Sequence, residues 1–211
     1  MLIVYIVVAV IAYCIGSISF SIIFSKKFAG VDVRESGSKN AGTTNVLRTV
    51  GKKAALYTLV CDILKGVVAV FVAFIAGKIF APTNEEAAIL IQIAGVAVVL
   101  GHMFPVFFQF RGGKGIATSI GILFVMNWQI GLICLLVGIV LIALTRMVSL
   151  GSITAGILFP ILTIFIDKFY LVPDASYLIF GIIIAVIVVY NHRENIQRIM
   201  NGTENKISFK K

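Results

Sequence analysis

Residues 115–145, GIATSIGILFVMNWQIGLICLLVGIVLIALT, contain no charged side chain. An apolar run of this length fits helix rather than the alternating strands of a barrel, because lipid offers no partner for backbone N–H and C=O groups. As one straight helix it would measure about 46 Å against a hydrocarbon core of about 30 Å. One span is therefore too few residues' worth of membrane for it. Met126-Asn127-Trp128-Gln129 places polar groups and a tryptophan of the interfacial kind near the middle. The run divides there into a short helix, tilted or re-entrant, and a fuller one.

Outward from this stretch the pattern repeats. Apolar runs at residues 2–25, 54–77 and 87–110 precede it, and runs at 148–166, containing Pro160, and 175–190 follow it. The expected fold is an all-α integral membrane protein, a bundle of about seven transmembrane helices forming a single polytopic domain over residues 1–211. Residues 2–25 read as a retained first helix, since no Lys or Arg precedes the apolar core and no persuasive cleavage site follows it.

Charge tests the parity of the crossings. With seven crossings and the N-terminus outside, the cytoplasmic side holds Lys26, Lys27, Arg34, Lys39, Arg48, Lys52, Lys53, Arg111, Lys114, Arg146, Arg193, Arg198, Lys206, Lys210 and Lys211. Only Lys78 and Lys168 fall outside. Were residues 115–145 a single crossing, the split would drop to roughly ten against seven. Seven crossings put the C-terminus in the cytoplasm.

Composition agrees. The chain is 60% hydrophobic and 13% charged, more apolar surface than a soluble domain can hide. Its net charge of +9 sits in loops and tail between apolar runs, where topology and anionic lipid account for it, so nucleic acid is not an expected partner. Cys14, Cys61 and Cys134 lie scattered in apolar runs without metal or disulfide spacing.

Three polar motifs interrupt the spans. Residues 37–48, GSKNAGTTNVLR, combine hydroxyls, amides, cations and glycines in a way that suits a phosphate, or equally a solvated loop near lipid head groups. Residues 101–105, GHMFP, lead to 111–118, RGGKGIAT, where a glycine loop carrying Lys114 opens into a helix. A helix start attracts anions and a lysine adds a point charge, although a tight interfacial turn has the same appearance. This is neither a Walker A loop nor GxGxxG, because Phe108 and Thr118 stand where glycines would be required. The third motif, residues 191–198, NHRENIQR, places His192 and Asn195 on one side of a juxtamembrane helix, which suits a pair aimed at a substrate or equally a basic anchor on lipid. Within the second span, Asp62 and Lys65 at i, i+3 read as a structural ion pair in preference to a proton relay.

What is missing narrows the chemistry. Neither histidine begins a His-x4-Asp pair, no serine sits in GxSxG, and the acidic residues form no metal-binding cluster. No metal or cofactor is expected. No inverted repeat favours a carrier, and the clustered aspartates of a CDP-alcohol phosphotransferase are absent.

Together these motifs resemble those of the bacterial acyl-phosphate:glycerol-3-phosphate acyltransferases, the PlsY family. The resemblance runs over almost the whole chain. It includes Gly16-Ser17, Asp32-Val33-Arg34 through Arg48, Asp62-Ile63-Leu64-Lys65-Gly66, the two parts of the second motif, and His192 through Glu204. Lys39 stands where that family often has glycine, and Arg111 where it often has lysine. The resemblance implies acyl transfer from acyl phosphate to the primary hydroxyl of glycerol 3-phosphate, giving lysophosphatidic acid and phosphate, at the cytoplasmic face of a bacterial plasma membrane. By motif position, substrate binding falls on Ser38, Thr44, Asn45, Arg48, Lys114, His192 and Asn195, with Gly112, Gly113 and Gly115 offering backbone donors. Ser38, Lys114, His192 and Asn195 form the implied catalytic set.

Overall fold

The computed structural model describes residues 1–166 and 174–207, and no β-strand occurs among them. Lys168, Lys210 and Lys211, counted in the charge balance above, lie outside the described residues. Two compact units emerge, Met1–Val125 and Met126–Lys211.

In the first unit the expected single first helix is two: α1 (Leu2–Gly16) and α2 (Phe20–Ala29), together a candidate span of 28 residues. The break is made by serines. Ser17 Oγ donates to the Tyr13 carbonyl at 2.8 Å, Ser19 leaves helical geometry, and its hydroxyl lies 3.1 Å from Ser21 Oγ. Hydropathy is blind to such a break, because serines that satisfy backbone groups locally cost a span little. A polar segment with a short α3 (Thr43–Thr49) leads to α4 (Lys52–Phe80), whose 29 residues run about 44 Å. α5 (Asn84–Met103) starts where Thr83 Oγ1 accepts the Glu86 N–H at 3.2 Å, with Glu85 and Glu86 in the favourable first turn. It stops seven residues short of the expected end. Pro105 and a 3-10 turn (Val106–Phe108) follow, and Gln109 and Phe110 take left-handed backbone angles.

Small residues let these helices touch backbone to backbone, the usual device where lipid provides no hydrophobic driving force. A Cβ on Gly16 of α1 would overlap the Val98 carbonyl of α5, and one on Gly101 of α5 would overlap the Tyr13 carbonyl of α1. α6 (Ile116–Met126) crosses α4 as closely, through Gly66 against the Thr118 carbonyl and Gly121 against that of Ile63.

The second unit begins at the division expected from the sequence. Asn127 caps α7 (Trp128–Thr145), its Oδ1 accepting the Ile130 N–H at 3.0 Å. The 11 residues of α6 reach only about 17 Å, and the 18 of α7 about 27 Å. α8 (Val148–Phe165) carries Pro160 internally, and α9 (Asp174–Asn191) bends by 60° into α10 (Arg193–Met200). On α7, Ile130, Cys134 and Gly138 are buried at fourfold spacing, while Leu132, Leu136, Ile139 and Val140 face outward. An outward face of this kind suits lipid. Among the described residues, five candidate spans are long and apolar enough to cross a membrane, six if the bent pair counts as one.

Candidate functional site

The first motif is a packed structure and not a solvated loop. Ile22, Val33, Ala41, Val46, Ala54 and Ala55 form an apolar cluster beneath it, with Val50 and Phe108 against them. At its centre stands Asn45, 2% exposed. Its Nδ2 faces the carbonyls of Val33, Ser36 and Asn40 at 2.8, 2.9 and 3.0 Å, and its Oδ1 accepts the Ser38 N–H at 2.9 Å. An amide so committed shapes the loop. It holds Ser38, whose side chain is exposed, in place. Thr44 is half-buried and Arg48 exposed in α3. Lys39 has a φ of +57°, which explains why glycine suits this position.

Arg34 ties the same segment to the turn after α5. Its Nε and Nη2 pair with the two oxygens of Asp32 at 3.0 and 2.8 Å, and its Nη1 donates to the Phe108 carbonyl at 2.7 Å. The Arg34 hydrogen bonds hold the Asp32 carboxyl below its ordinary range against the opposing effect of burial, and Asp32 in turn raises Arg34.

The glycine loop lies flat on the end of α5. Gly112 N–H donates to the Met103 carbonyl at 3.0 Å and Gly113 N–H to that of His102 at 3.1 Å, while the Gly112 carbonyl accepts the Ala41 N–H at 3.3 Å. Two of the three expected glycine donors, Gly112 and Gly113, thus hydrogen-bond within the protein. Donors for an anion begin further on, in the first turn of α6, whose N–H groups precede any helical acceptor. Gly115, with φ +84°, accepts the first such bond from Ser119 at 2.8 Å, and Lys114 is half-buried beside it. The Gly112–Ala41 bond joins the first and second motifs within one unit.

Below this loop sits a charge cluster. Lys65 Nζ lies 2.8 Å from Asp62 Oδ1, the ion pair expected from the spacing, and donates to the Ile18 carbonyl at 3.0 Å. His102 Nδ1 completes it at 3.5 Å from the same Asp62 oxygen. His102 stands 40 residues from Asp62, and nothing local in the sequence links them.

The third motif belongs to the second unit. His192 is buried at the α9–α10 bend, its Nδ1 2.8 Å from the Val188 carbonyl. Only the ring can supply that proton, which in the neutral form leaves the lone pair on Nε2. Asn195, also buried, donates to Glu204 Oε1 at 2.7 Å. Ser149 Oγ reaches the same oxygen at 2.8 Å and Arg198 Nε the other at 2.8 Å. Burial would raise this carboxyl, but the Asn195, Ser149 and Arg198 hydrogen bonds outweigh it and hold Glu204 below the ordinary carboxylate range. The tail is fixed once more where Ile207 N–H donates to the Arg146 carbonyl at 2.9 Å. Ser149 and the anchoring role of Glu204 were missed from sequence, the partners being 55 residues apart.

Comparison with known proteins fits this architecture. The family model described as "Glycerol-3-phosphate acyltransferase" matches residues 6–202. A glycerol-3-phosphate acyltransferase of Clostridioides difficile (strain 630) is 45% identical over 98% of this chain and 97% of its own. One of Thermoanaerobacter sp. (strain X514) is 45% identical over 96% and 95%. Crystal structures of PlsY, an integral membrane glycerol 3-phosphate acyltransferase, match with 36% identity. The glycerol 3-phosphate form has a TM-score of 0.83 and covers 97% of this chain and 96% of that one. The lysophosphatidic acid form has a TM-score of 0.81, covering 97% and 95%. With helices that suit lipid, the motifs in place and relatives aligned from end to end, the chain belongs to the PlsY family of integral membrane glycerol-3-phosphate acyltransferases.

Proposed function

We propose that the protein moves a fatty acyl group from acyl phosphate to the primary hydroxyl of glycerol 3-phosphate, releasing lysophosphatidic acid and inorganic phosphate. The observation that carries this reading is the joining of two phosphate-suited motifs by the Ala41–Gly112 bond, beside Lys114 and the first turn of α6. Relatives crystallised with glycerol 3-phosphate and with lysophosphatidic acid support the substrate and product.

The glycerol 3-phosphate hydroxyl oxygen attacks the acyl carbonyl carbon, the bond from that carbon to the bridging oxygen breaks, and phosphate departs with the electron pair. Acyl phosphate is already an activated anhydride, so orientation and charge stabilisation suffice and no acyl-enzyme intervenes. Lys114 and Arg48 stabilise phosphate charge, each charge-assisted hydrogen bond contributing about 1.5–3 kcal/mol. Ser38, Thr44 and Asn195 orient the substrates, and Asn45 acts through Ser38. The hydroxyl proton passes to an oxygen of the departing phosphate, with His192 as the alternative acceptor. No cofactor takes part.

In the membrane the reading has seven crossings, with Leu2–Ala29 the first, α6 the short one and the bend at His192 after the last. The N-terminus is outside and the motifs face the cytoplasm of a bacterial cell, following the distribution of basic residues. Single cysteines at Ser36 and Met200 should react with a membrane-impermeant reagent only after the cytoplasmic side is opened. Labelling of either from outside would overturn the topology.

Donor identity is tested by mass spectrometry of products from purified protein in lipid. Lysophosphatidic acid should form from palmitoyl phosphate plus glycerol 3-phosphate and fail to form from palmitoyl coenzyme A. The reverse preference would overturn the acyl-phosphate assignment.

A further inference from the structure

Lys65, Asp62 and His102 are 4%, 1% and 7% exposed inside candidate spans, and the acyl-transfer chemistry assigns none of them a task. Placing a buried ion pair at such depth costs several kcal/mol unless its surroundings repay it. The contacts indicate what it serves. At one end, the Lys65 ammonium takes the Ile18 carbonyl, released where the first span breaks. At the other, the ring of His102 is turned by Asp62 so that Nδ1 faces the carboxylate and Nε2 faces the glycine loop. At 3.5 Å the Nδ1 contact is long for a hydrogen bond, but the Asp62 carboxylate is an opposite charge beside the ring that can hold it this way.

The loop rests directly on that ring. A Cβ on Gly113 would overlap His102 Nε2 and come within 2.9 Å of the Ala41 carbonyl, and one on Gly112 would overlap the His102 carbonyl. Backbone bonds from Gly112 and Gly113 to Met103 and His102 fix the same surface, and Ser21 Oγ holds the Ala41 carbonyl at 2.9 Å. Ring and first motif both close on Gly113, where a Cβ has no room. A shift of the ring must shift the residues that precede Lys114.

We infer that His102, oriented by the buried Asp62–Lys65 pair, is a positioning residue for acyl transfer that sets the placement of the glycine loop and of Lys114. It touches no substrate. The inference rests on the reading of Lys114 as a phosphate-charge residue, and its test keeps the two separable.

The test compares kcat and KM for palmitoyl phosphate and glycerol 3-phosphate, with unfolding midpoints, for wild type, His102→Ala, His102→Asn, Lys114→Arg, Lys114→Ala and the double variant His102→Ala/Lys114→Arg. Asparagine keeps a donor near the place of Nδ1. His102→Ala should lower kcat/KM on the order of 10- to 100-fold, the scale of a misplaced catalytic group. His102→Asn should recover to within about 3-fold of wild type, as its amide still presents a donor to the Asp62 carboxylate. In the Lys114→Arg background the added His102→Ala loss should shrink by more than about 3-fold, the sign of two residues acting through one element. Undiminished His102→Ala loss in that background, no rescue by asparagine, or wild-type kcat/KM in His102→Ala would each overturn the inference. If Lys114→Arg and Lys114→Ala both kept wild-type kinetics, the phosphate reading of the loop would be what failed.

Discussion

Two buried acids organise this protein in different ways. Asp62 lies mid-span in α4 and meets one ammonium and one imidazole, with its charge balanced by few contacts. Glu204 lies in the tail after α10 and receives three donors, Ser149, Asn195 and Arg198. The first is balanced by the Lys65 ammonium and the His102 ring; the second is held by hydrogen bonds from three side chains. Removing a partner should therefore hurt the first more sharply, and changing pH should act on the second.

The largest effect is expected for Lys65→Leu, which leaves a buried carboxylate without its ammonium and should cost about 3–5 kcal/mol. Denaturant unfolding in lipid-detergent micelles measures it. The double variant Asp62→Leu/Lys65→Leu should lose less than Lys65→Leu alone, because no unpaired charge remains; an equal or greater loss would mean that the pair is more than charge compensation. Glu204→Ala should cost about 3 kcal/mol, as three donors lose a charged acceptor, and should release the tail to proteolysis near residues 201–207.

How far the sequence reveals these two regions differs as well. The Asp62–Lys65 pair was legible because i, i+3 spacing places both on one helical face, and the division at Asn127 because a polar residue between apolar runs caps a helix. His102 and Ser149 were not, since each meets its acid across chain distances that carry no periodic signal. The break at residues 17–19 was hidden for another reason: serines satisfy their own backbone and leave hydropathy almost unchanged. For the motifs, residue types pointed to phosphate, yet the division of labour within them needed geometry. Asn45 and the two leading glycines hydrogen-bond within the protein, which residue type alone does not reveal.

Acid gives a finer contrast. Because Glu204 titrates below its unfolded value, its stabilisation is fully present above about pH 4.3 and is lost as pH falls through the lower folded value. Hydrogen exchange of the tail should be steady from pH 7 to pH 5, after correction for intrinsic rates, and should rise below that window. A rise beginning near pH 6 would assign the tail's hold to another group. The smallest effect concerns Lys39, held at φ +57°: Lys39→Gly should stabilise the protein by about 0.5–1 kcal/mol, read as a higher unfolding midpoint, with kcat unchanged.

The most direct test of acyl transfer without a covalent intermediate is a rapid-mixing measurement of phosphate release from palmitoyl phosphate by purified protein in lipid, with and without glycerol 3-phosphate. Release should require glycerol 3-phosphate, show no burst, and match lysophosphatidic acid one for one. A burst of phosphate equal to the enzyme present, before any glycerol 3-phosphate is added, would contradict direct transfer.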